Sequence, residues 1–244
     1  MKVLLLVDDY LPHSIKVAAR MMHDLALELK ARGNDVSVCT AETGLQTLSS
    51  IDEFEGITVL RFKSGKIKNV SRIKRALNET LLSLRAWISF KNYFRENECH
   101  LIVYYSPTIF FGPLVWKLKS LWRCKSFLIL RDIFPQWVVD NGLLKKNSLT
   151  FYYFKFFEQC NYISADVIAI QSPSNVKYFA HSPKHLPKLR VLYNWSSSNT
   201  ASRNSHFSYR EKLGLQGKIV FFYGGNIGHA QDMRNLLRLA RSLS

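Results

Sequence analysis

The chain has 244 residues, 47% of them hydrophobic, and a formal net charge of +16 at pH 7. This length allows one domain of roughly 200 residues with its own core, plus an appendage. The four cysteines are at least 25 residues apart, which excludes a C-x-x-C metal or redox motif and favours reduced, partly buried thiols. No N-terminal run is typical of a signal peptide, and no apolar run approaches the ~20 residues of a membrane span. We therefore expect a cytoplasmic protein.

Apolar runs typical of buried strands alternate with helical patterns along most of the chain. The predicted strands are 2–8, 35–40, 57–62, 100–105, 126–131, 166–171 and 189–193. The predicted helices are 14–32, 70–97, 108–122, 147–164 and 173–181. Continuous apolar strands between amphipathic helices predict an α/β fold, with a doubly wound parallel sheet covered by helices on both faces.

The end of the chain has a different organisation. Residues 196–205, SSSNTASRNS, contain no large apolar side chain and predict a linker. A short helix near 207–213, a buried strand at 219–223, a glycine turn and a helical pattern follow, and such a βα unit offers backbone N–H groups to a phosphate. We therefore expect an N-terminal domain over 1–195, a linker over 196–206, and over 207–244 the first βα unit of an incomplete second domain.

Candidate site residues follow the predicted strands, because ligands of doubly wound sheets bind at the carboxyl ends of the strands. The first strand leads into Asp8 to Ser14, the fifth into Arg131 and Asp132, and the seventh into Asn194 and Trp195. The alternative structural interpretations are a helix cap for Ser14 and a strand-closing ion pair for Arg131 with Asp132. No dinucleotide or P-loop motif is present in this half.

Basic residues concentrate between Arg61 and Arg95, where ten Lys or Arg accompany one acidic residue, Glu79. Apolar residues recur at helical steps through the same stretch, at Val70, Ile73, Leu77, Leu81, Leu84 and Ile88. The pattern predicts a basic amphipathic helix whose apolar stripe faces the core. A second basic and aromatic cluster lies between Trp116 and Lys125. One-sided charge indicates an anionic membrane surface or nucleic acid, and the absence of nucleic-acid-binding motifs favours the membrane.

Several segments together resemble family 4 glycosyltransferases. Residues 8–38 are similar to the family's opening loop, helix and second strand, and 130–144 to a segment of the branch that builds O-antigen and capsule repeat units, including N-acetyl-L-fucosaminyltransferases. Three further matches are Glu158 with the Ala165–Ser172 block, the Asn194–Trp195 "N-W" pair, and the Gly225–Gly228 "G-N-I-G" loop.

The resemblance implies a GT-B enzyme, with the chain supplying the N-terminal Rossmann-like domain and the start of the donor domain. It implies retaining transfer from a nucleotide-diphosphate sugar to a lipid-linked saccharide acceptor, with no cofactor and no metal. The implied residue roles are catalysis for Asp132; acceptor binding for Pro12, His13, Ser14 and Arg131; donor binding for Gly225, Asn226, Gly228 and Gln231; and a hinge at Asn194 and Trp195.

The family's remaining donor-domain motifs are absent, so we expect this chain alone to be inactive. We also expect it to act in the cytoplasm, peripherally on the inner face of the cell membrane, without nucleic acid as a partner. Two alternatives remain open: a non-catalytic module that binds anionic lipid or nucleic acid, or half of a split enzyme.

Overall fold

A computed structural model describes residues 1–66, 70–180, 182–196, 208–225, 227 and 231–243, apart from the side chain of Arg72. The chain divides into two compact units, unit 1 (Met1–Ser197) and unit 2 (Ser198–Ser244). The predicted linker lies almost entirely outside the described residues.

Unit 1 is built on an eight-stranded sheet in the order β3-β4-β2-β1-β5-β6-β7-β8. The strands are β1 (Lys2–Val7), β2 (Asp35–Glu42), β3 (Ser49–Phe54), β4 (Ile57–Lys63), β5 (Leu101–Ser106), β6 (Lys125–Leu130), β7 (Val167–Ile170) and β8 (Leu189–Val191). Neighbouring strands are parallel, except for β3, which pairs antiparallel with β4. The order reverses between β1 and β5, so the predicted doubly wound parallel sheet is confirmed.

Helices cover both faces of this sheet. They are α1 (Val17–Ala31), α2 (Arg72–Thr80), α3 (Leu82–Glu96), α4 (Gly112–Trp122), α5 (Gln136–Asp140) and α6 (Leu149–Ser164), with two 3₁₀ helices at Pro173–Phe179 and Leu186–Lys188. Along β1, Leu4 and Leu6 pack in the core beneath α3, α4 and α6. Val3, Leu5 and Val7 point to the other face and pack beneath α1. A strand whose alternate side chains are buried on both faces needs the continuous apolar sequence seen here.

The predicted helix 70–97 is two helices that meet at Leu81. The Ser71 hydroxyl caps α2 by accepting from Lys74 N at 3.3 Å. At the other end, Thr80 Oγ1 donates to Ala76 O at 2.6 Å, a back-bond that favours bending. The sequence pattern also missed α5 and the antiparallel β3, which contain no buried residue and therefore lack the apolar pattern of a core element.

Unit 2 contains two described helices, α7 (Tyr209–Lys212) and α8 (Met233–Ser242). The predicted buried strand at 219–223 is wrong: its five residues are exposed and form no strand among the described residues. Ile219 is 87% exposed and Phe222 is 89% exposed. An apolar run becomes a strand only where neighbouring strands take up its backbone hydrogen bonds, and no described residue of unit 2 supplies one.

Candidate functional site

A cavity of about 410 Å³ opens at the carboxyl ends of the strands, beside the point where the strand order reverses. This is the position at which ligands of doubly wound sheets bind. The lining side chains come from the segments after β1, β2, β4 and β5 and from the α2–α3 junction. They are Asp8, Asp9, His13, Lys16, Ala41, Glu42, Thr43, Ser64, Lys66, Glu79, Leu82 and Thr108.

Two aspartates directly after β1 form one wall of this cavity. Asp9 Oδ2 lies 2.5 Å from Lys16 Nζ, whereas Asp8 Oδ2 lies 3.9 Å from the same ammonium. Burial raises the pKa of the Asp8 carboxyl; Lys16 opposes this shift and the neighbouring Asp9 charge adds to it. Asp8 is therefore a largely buried carboxylate that faces the cavity, with Lys16 as its closest described cation.

Of the three predicted acceptor residues after β1, only His13 lines the cavity. Its Nδ1 lies 2.9 Å from Glu42 Oε2. The Ser14 side chain is buried, and its hydroxyl accepts from Lys16 N at 3.1 Å, so it holds the loop and does not face the cavity. Pro12 is exposed outside the lining.

Arg61 of β4 holds the loop after β1 in place through a hydrogen bond to the loop backbone. The side chain is 2% exposed, its Nη2 donates to Leu11 O at 2.5 Å, and its guanidinium lies 3.2 Å from Asp52 and 3.5 Å from Glu42. This arginine therefore belongs to the sheet, and counting it in a basic surface stretch was wrong.

Arg131 and Asp132, directly after β6, lie on the same carboxyl edge but do not line the cavity. The two side chains form no ion pair with each other among the described residues; Arg131 Nη1 instead lies 3.3 Å from Met21 Sδ of α1. Burial raises the pKa of the Asp132 carboxyl, and Arg131 opposes the shift. The alternative interpretation as a strand-closing ion pair is therefore not supported by the geometry.

The predicted hinge residues end unit 1 against its own core. Trp195 Nε1 donates to Met21 O at 3.2 Å, and the indole packs on the core beneath α1. Asn194 Oδ1 accepts from Gln171 Nε2 at 3.2 Å. Met21 thus contacts both Arg131 and Trp195, which places the segment after β8 close to the rim after β6.

The predicted donor residues lie in unit 2 and are described only in part. Gly225 is exposed and Gln231 is exposed two residues before α8, while Asn226 and Gly228 lie outside the described residues. Asp232 caps α8, its Oδ1 accepting from Asn235 N at 3.4 Å. A carboxylate therefore already occupies the N-terminus of this helix.

Sequence inspection missed most of the cavity lining. Lys16, Glu42, Ser64, Lys66 and Thr108 come from four segments whose proximity depends on strand order. The available signal was their position: Glu42, Ser64 and Thr108 each lie within two residues of the end of a strand. No group of three or more acidic, histidine or cysteine side chains suited to a metal ion occurs in the part of the chain that the structure describes.

The helix pair α2–α3 presents an apolar surface to solvent, contrary to the prediction that its stripe faces the core. Ile73 is 75% exposed, Leu77 58%, Leu84 52% and Ile88 56%. The core face of α3 is a second stripe, formed by Leu82, Ala86, Phe90 and Phe94. The sequence holds two apolar stripes, and only packing decides which one is buried.

Basic and aromatic groups accompany this exposed stripe. Lys74, Arg75 and Lys91 are exposed on the same helices. On the neighbouring α4, Trp116 is 62% exposed, and Lys117 Nζ lies 5.4 Å from the centre of the Trp87 ring. Within the described residues, no helix has the length and apolarity to cross a bilayer.

The search of protein-family models and that of curated proteins returned no match. Solved structures do match. Sucrose-phosphate synthase from Thermosynechococcus elongatus has a TM-score of 0.61 at 15% identity, over 80% of this chain and 48% of that one. WaaG, a glycosyltransferase involved in lipopolysaccharide biosynthesis, has 0.53 at 14%, over 88% and 52%. The catalytic domain of starch synthase IV from Arabidopsis thaliana has 0.51 at 14%, over 79% and 51%.

These chains are GT-B glycosyltransferases, and this chain spans about half the length of each of them. At such identities the likeness concerns the fold. The protein therefore has the Rossmann-like α/β fold of GT-B glycosyltransferases, with a cavity at the carboxyl edge of its sheet.

Proposed function

We propose that this chain is the acceptor-side half of a retaining, nucleotide-sugar-dependent glycosyltransferase, acting on a lipid-linked glycan in O-antigen or capsule biosynthesis. The cavity at the switch point of the sheet carries the proposal, because it offers polar groups where such a fold binds its ligand. The fold match with WaaG, a lipopolysaccharide glycosyltransferase, supports the surface-glycan context. Because the neighbours are about twice as long, the proposed activity is that of a whole enzyme to which this chain contributes.

In the proposed reaction, an acceptor hydroxyl oxygen bonds to the anomeric carbon of the donor sugar. The bond from that carbon to the diphosphate breaks, and the departing phosphate takes the hydroxyl proton. Because the transfer retains the anomeric configuration, the protein's task is to hold the hydroxyl on the face that the phosphate leaves, close to the departing oxygen. We assign this task to Asp132, whose carboxylate at the end of β6 would accept from the hydroxyl until its proton passes to the phosphate, with Arg131 beside it. His13 would contact the acceptor from the cavity side, whereas Pro12 and Ser14 would shape the loop.

We assign the donor diphosphate to the glycine turn of unit 2, on the strength of its sequence. Backbone N–H groups of Gly225, Asn226 and Gly228, with the Gln231 amide, would bind the phosphate oxygens. Asp232 caps α8, so a carboxylate already lies at the first turn of this helix. We therefore assign the phosphate contact to the turn that precedes the helix. Asn194 and Trp195 would form the hinge, with Trp195 anchored on α1.

Deleting the encoding gene and analysing the surface glycan by mass spectrometry tests the function. We expect loss of one sugar and of every residue beyond it, restored by the wild-type gene but not by Asp132→Asn. The matched control is Asp140→Asn, an exposed aspartate on α5 bonded to Gln136. A deletion strain with an unchanged glycan would contradict the proposal.

We further propose that α2–α3 docks on the anionic inner face of the cell membrane. The exposed apolar stripe supplies surface to insert among headgroups, and Lys74, Arg75 and Lys91 supply charge of the complementary sign. The same helix pair contributes Glu79 and Leu82 to the cavity wall. Docking through α2–α3 would therefore bring the cavity close to a lipid-linked acceptor.

Co-sedimentation with vesicles tests the docking. We expect binding to vesicles of phosphatidylglycerol and phosphatidylcholine, at least tenfold weaker binding to phosphatidylcholine alone, and a similar loss for Lys74→Glu with Arg75→Glu. The control, Arg20→Glu with Arg32→Glu, makes the same charge change on α1, which covers the opposite face of the sheet. Equal loss in both double variants, or tighter binding to RNA at matched salt, would overturn this proposal.

A further inference from the structure

The cavity wall is richer in carboxylates than in cations. Its acidic members are Asp8, Asp9, Glu42 and Glu79, and its basic members are Lys16, Lys66 and His13. The remaining polar lining consists of hydroxyl side chains, and Leu82 and Ala41 provide the apolar part. Such a wall offers many hydrogen-bond acceptors, with an apolar patch against which the C–H face of a ring can pack.

Three of the four carboxylates already have a nitrogen partner within 2.9 Å. Asp9 pairs with Lys16 at 2.5 Å, Glu42 lies 2.9 Å from His13, and Glu79 lies 2.9 Å from Arg75. Lys16 and His13 are engaged in these pairs. Lys66 is exposed at the rim and is the lining cation without an ion pair in the described structure.

Asp8 differs from the other three. Its closest described cation is Lys16 Nζ, 3.9 Å away, which is too far for a hydrogen bond, and its side chain is only 18% exposed. A carboxylate removed from water in this way gains most from a ligand that donates hydrogen bonds. A sugar hydroxyl is such a donor, whereas a phosphate brings further negative charge towards four carboxylates.

We infer that this cavity selects an uncharged sugar ring through its hydroxyl groups, with Asp8 as the acceptor of their hydrogen bonds, and that it excludes sugar phosphates. The inference rests on the proposed function, which places the glycan acceptor here, and adds the chemical class of the group that enters. For a lipid-linked acceptor, the terminal neutral ring occupies the cavity and the lipid diphosphate stays outside it. The volume of about 410 Å³ is within the range of small-ligand pockets.

Saturation-transfer NMR on the 244-residue chain tests the inference. The probes are the methyl glycosides of glucose, galactose, mannose and N-acetylglucosamine, each compared with the corresponding 6-phosphate. We expect millimolar binding of at least one neutral glycoside and at least tenfold weaker binding of its phosphate. Asp8→Asn should weaken the neutral glycoside at least fivefold, because an amide is a weaker acceptor than a carboxylate.

The matched control is Asp24→Asn on α1, whose side chain is 17% exposed and pairs with Arg20, away from the cavity lining. It should bind like the wild type. Equal or tighter binding of the phosphates, no binding of any neutral glycoside, or an Asp8→Asn variant that binds normally would overturn the inference.

The two proposals fail in different ways. If the gene deletion leaves the surface glycan intact while neutral glycosides still bind through Asp8, the transferase assignment fails and the selectivity stands. If the deletion removes a sugar but the cavity prefers phosphates, the transferase assignment stands and the selectivity fails.

Discussion

Two apolar runs of the same type differ in burial: one lies inside a sheet and the other is exposed to solvent. The first, Val3–Val7 in unit 1, is at most 1% exposed at every residue. The second, residues 219–223 in unit 2, is exposed at every residue. In β1 the backbone pairs with β2 on one side and β5 on the other, and helices cover both faces. An apolar run is therefore buried only where neighbouring strands pair with it and helices cover it.

Hydrogen exchange offers the largest expected contrast. Amides of β1 should exchange only through global unfolding, with an opening free energy of about 5 to 15 kcal/mol for a domain of this kind. Amides of 219–222 should exchange with an opening free energy near zero, because no strand pairing protects them in the part of the chain that the structure describes. Mass-spectrometric exchange over minutes to days measures both. Comparable protection of the two runs in a monodisperse monomer would show that the second run is paired and buried as β1 is.

Removing one side chain from each run should give unequal losses of stability. Leu5→Ala, in the core beneath α1, should lower the free energy of unfolding by about 2 to 5 kcal/mol. Phe221→Ala, at a side chain that is 78% exposed, should change it by about 0.5 kcal/mol or less. Urea unfolding followed by circular dichroism measures the difference. A large loss from Phe221→Ala would show that the second run is packed.

Two arginines show the same dependence on burial for charged side chains. Arg61 is 2% exposed between Asp52 and Glu42, whereas the Arg75 side chain is 60% exposed and pairs with Glu79 one helical turn away. Arg61→Leu should cost about 2 kcal/mol or more, since it strands two carboxylates and a loop carbonyl. Arg75→Leu should cost about 0.5 kcal/mol or less. Equal losses in the free energy of unfolding, measured with urea, would mean that burial of the arginine does not determine the destabilisation.

The smallest expected effect concerns Asp8. Its pKa is raised in the folded protein above the ordinary 3.8, mainly by burial, so the native state binds a proton more readily than the unfolded state does. Stability from this group is therefore present at low pH and is lost as pH rises through the raised value. Asp8→Asn should raise Tm slightly at pH 7, and the gain should disappear towards pH 3.8. Calorimetry at both pH values measures it; a lower Tm at pH 7 would show that the carboxylate is stabilising.

Much of unit 1 follows from the sequence. Seven strands of its sheet were predicted within a few residues, because each is an apolar run bounded by polar or turn-forming residues. The helices over 17–31, 112–122 and 149–164 likewise carry their own periodicity. The positions of Asp8, Arg131 and Asp132 after strands follow from the same pattern, because strand ends are local features.

Tertiary structure decided what local pattern leaves open. It buried Leu82 and Phe90 of α3 while leaving Ile73 and Leu84 in solvent, and it placed Arg61 inside the sheet. It also assembled the cavity from five segments, separating it from Arg131 and Asp132. Periodicity records which side chains can be buried together along one element. Strand order and the partners that pack against each face decide which stripe is covered, which charge is enclosed and which loops meet. These partners and neighbouring strands come from residues far apart in the chain.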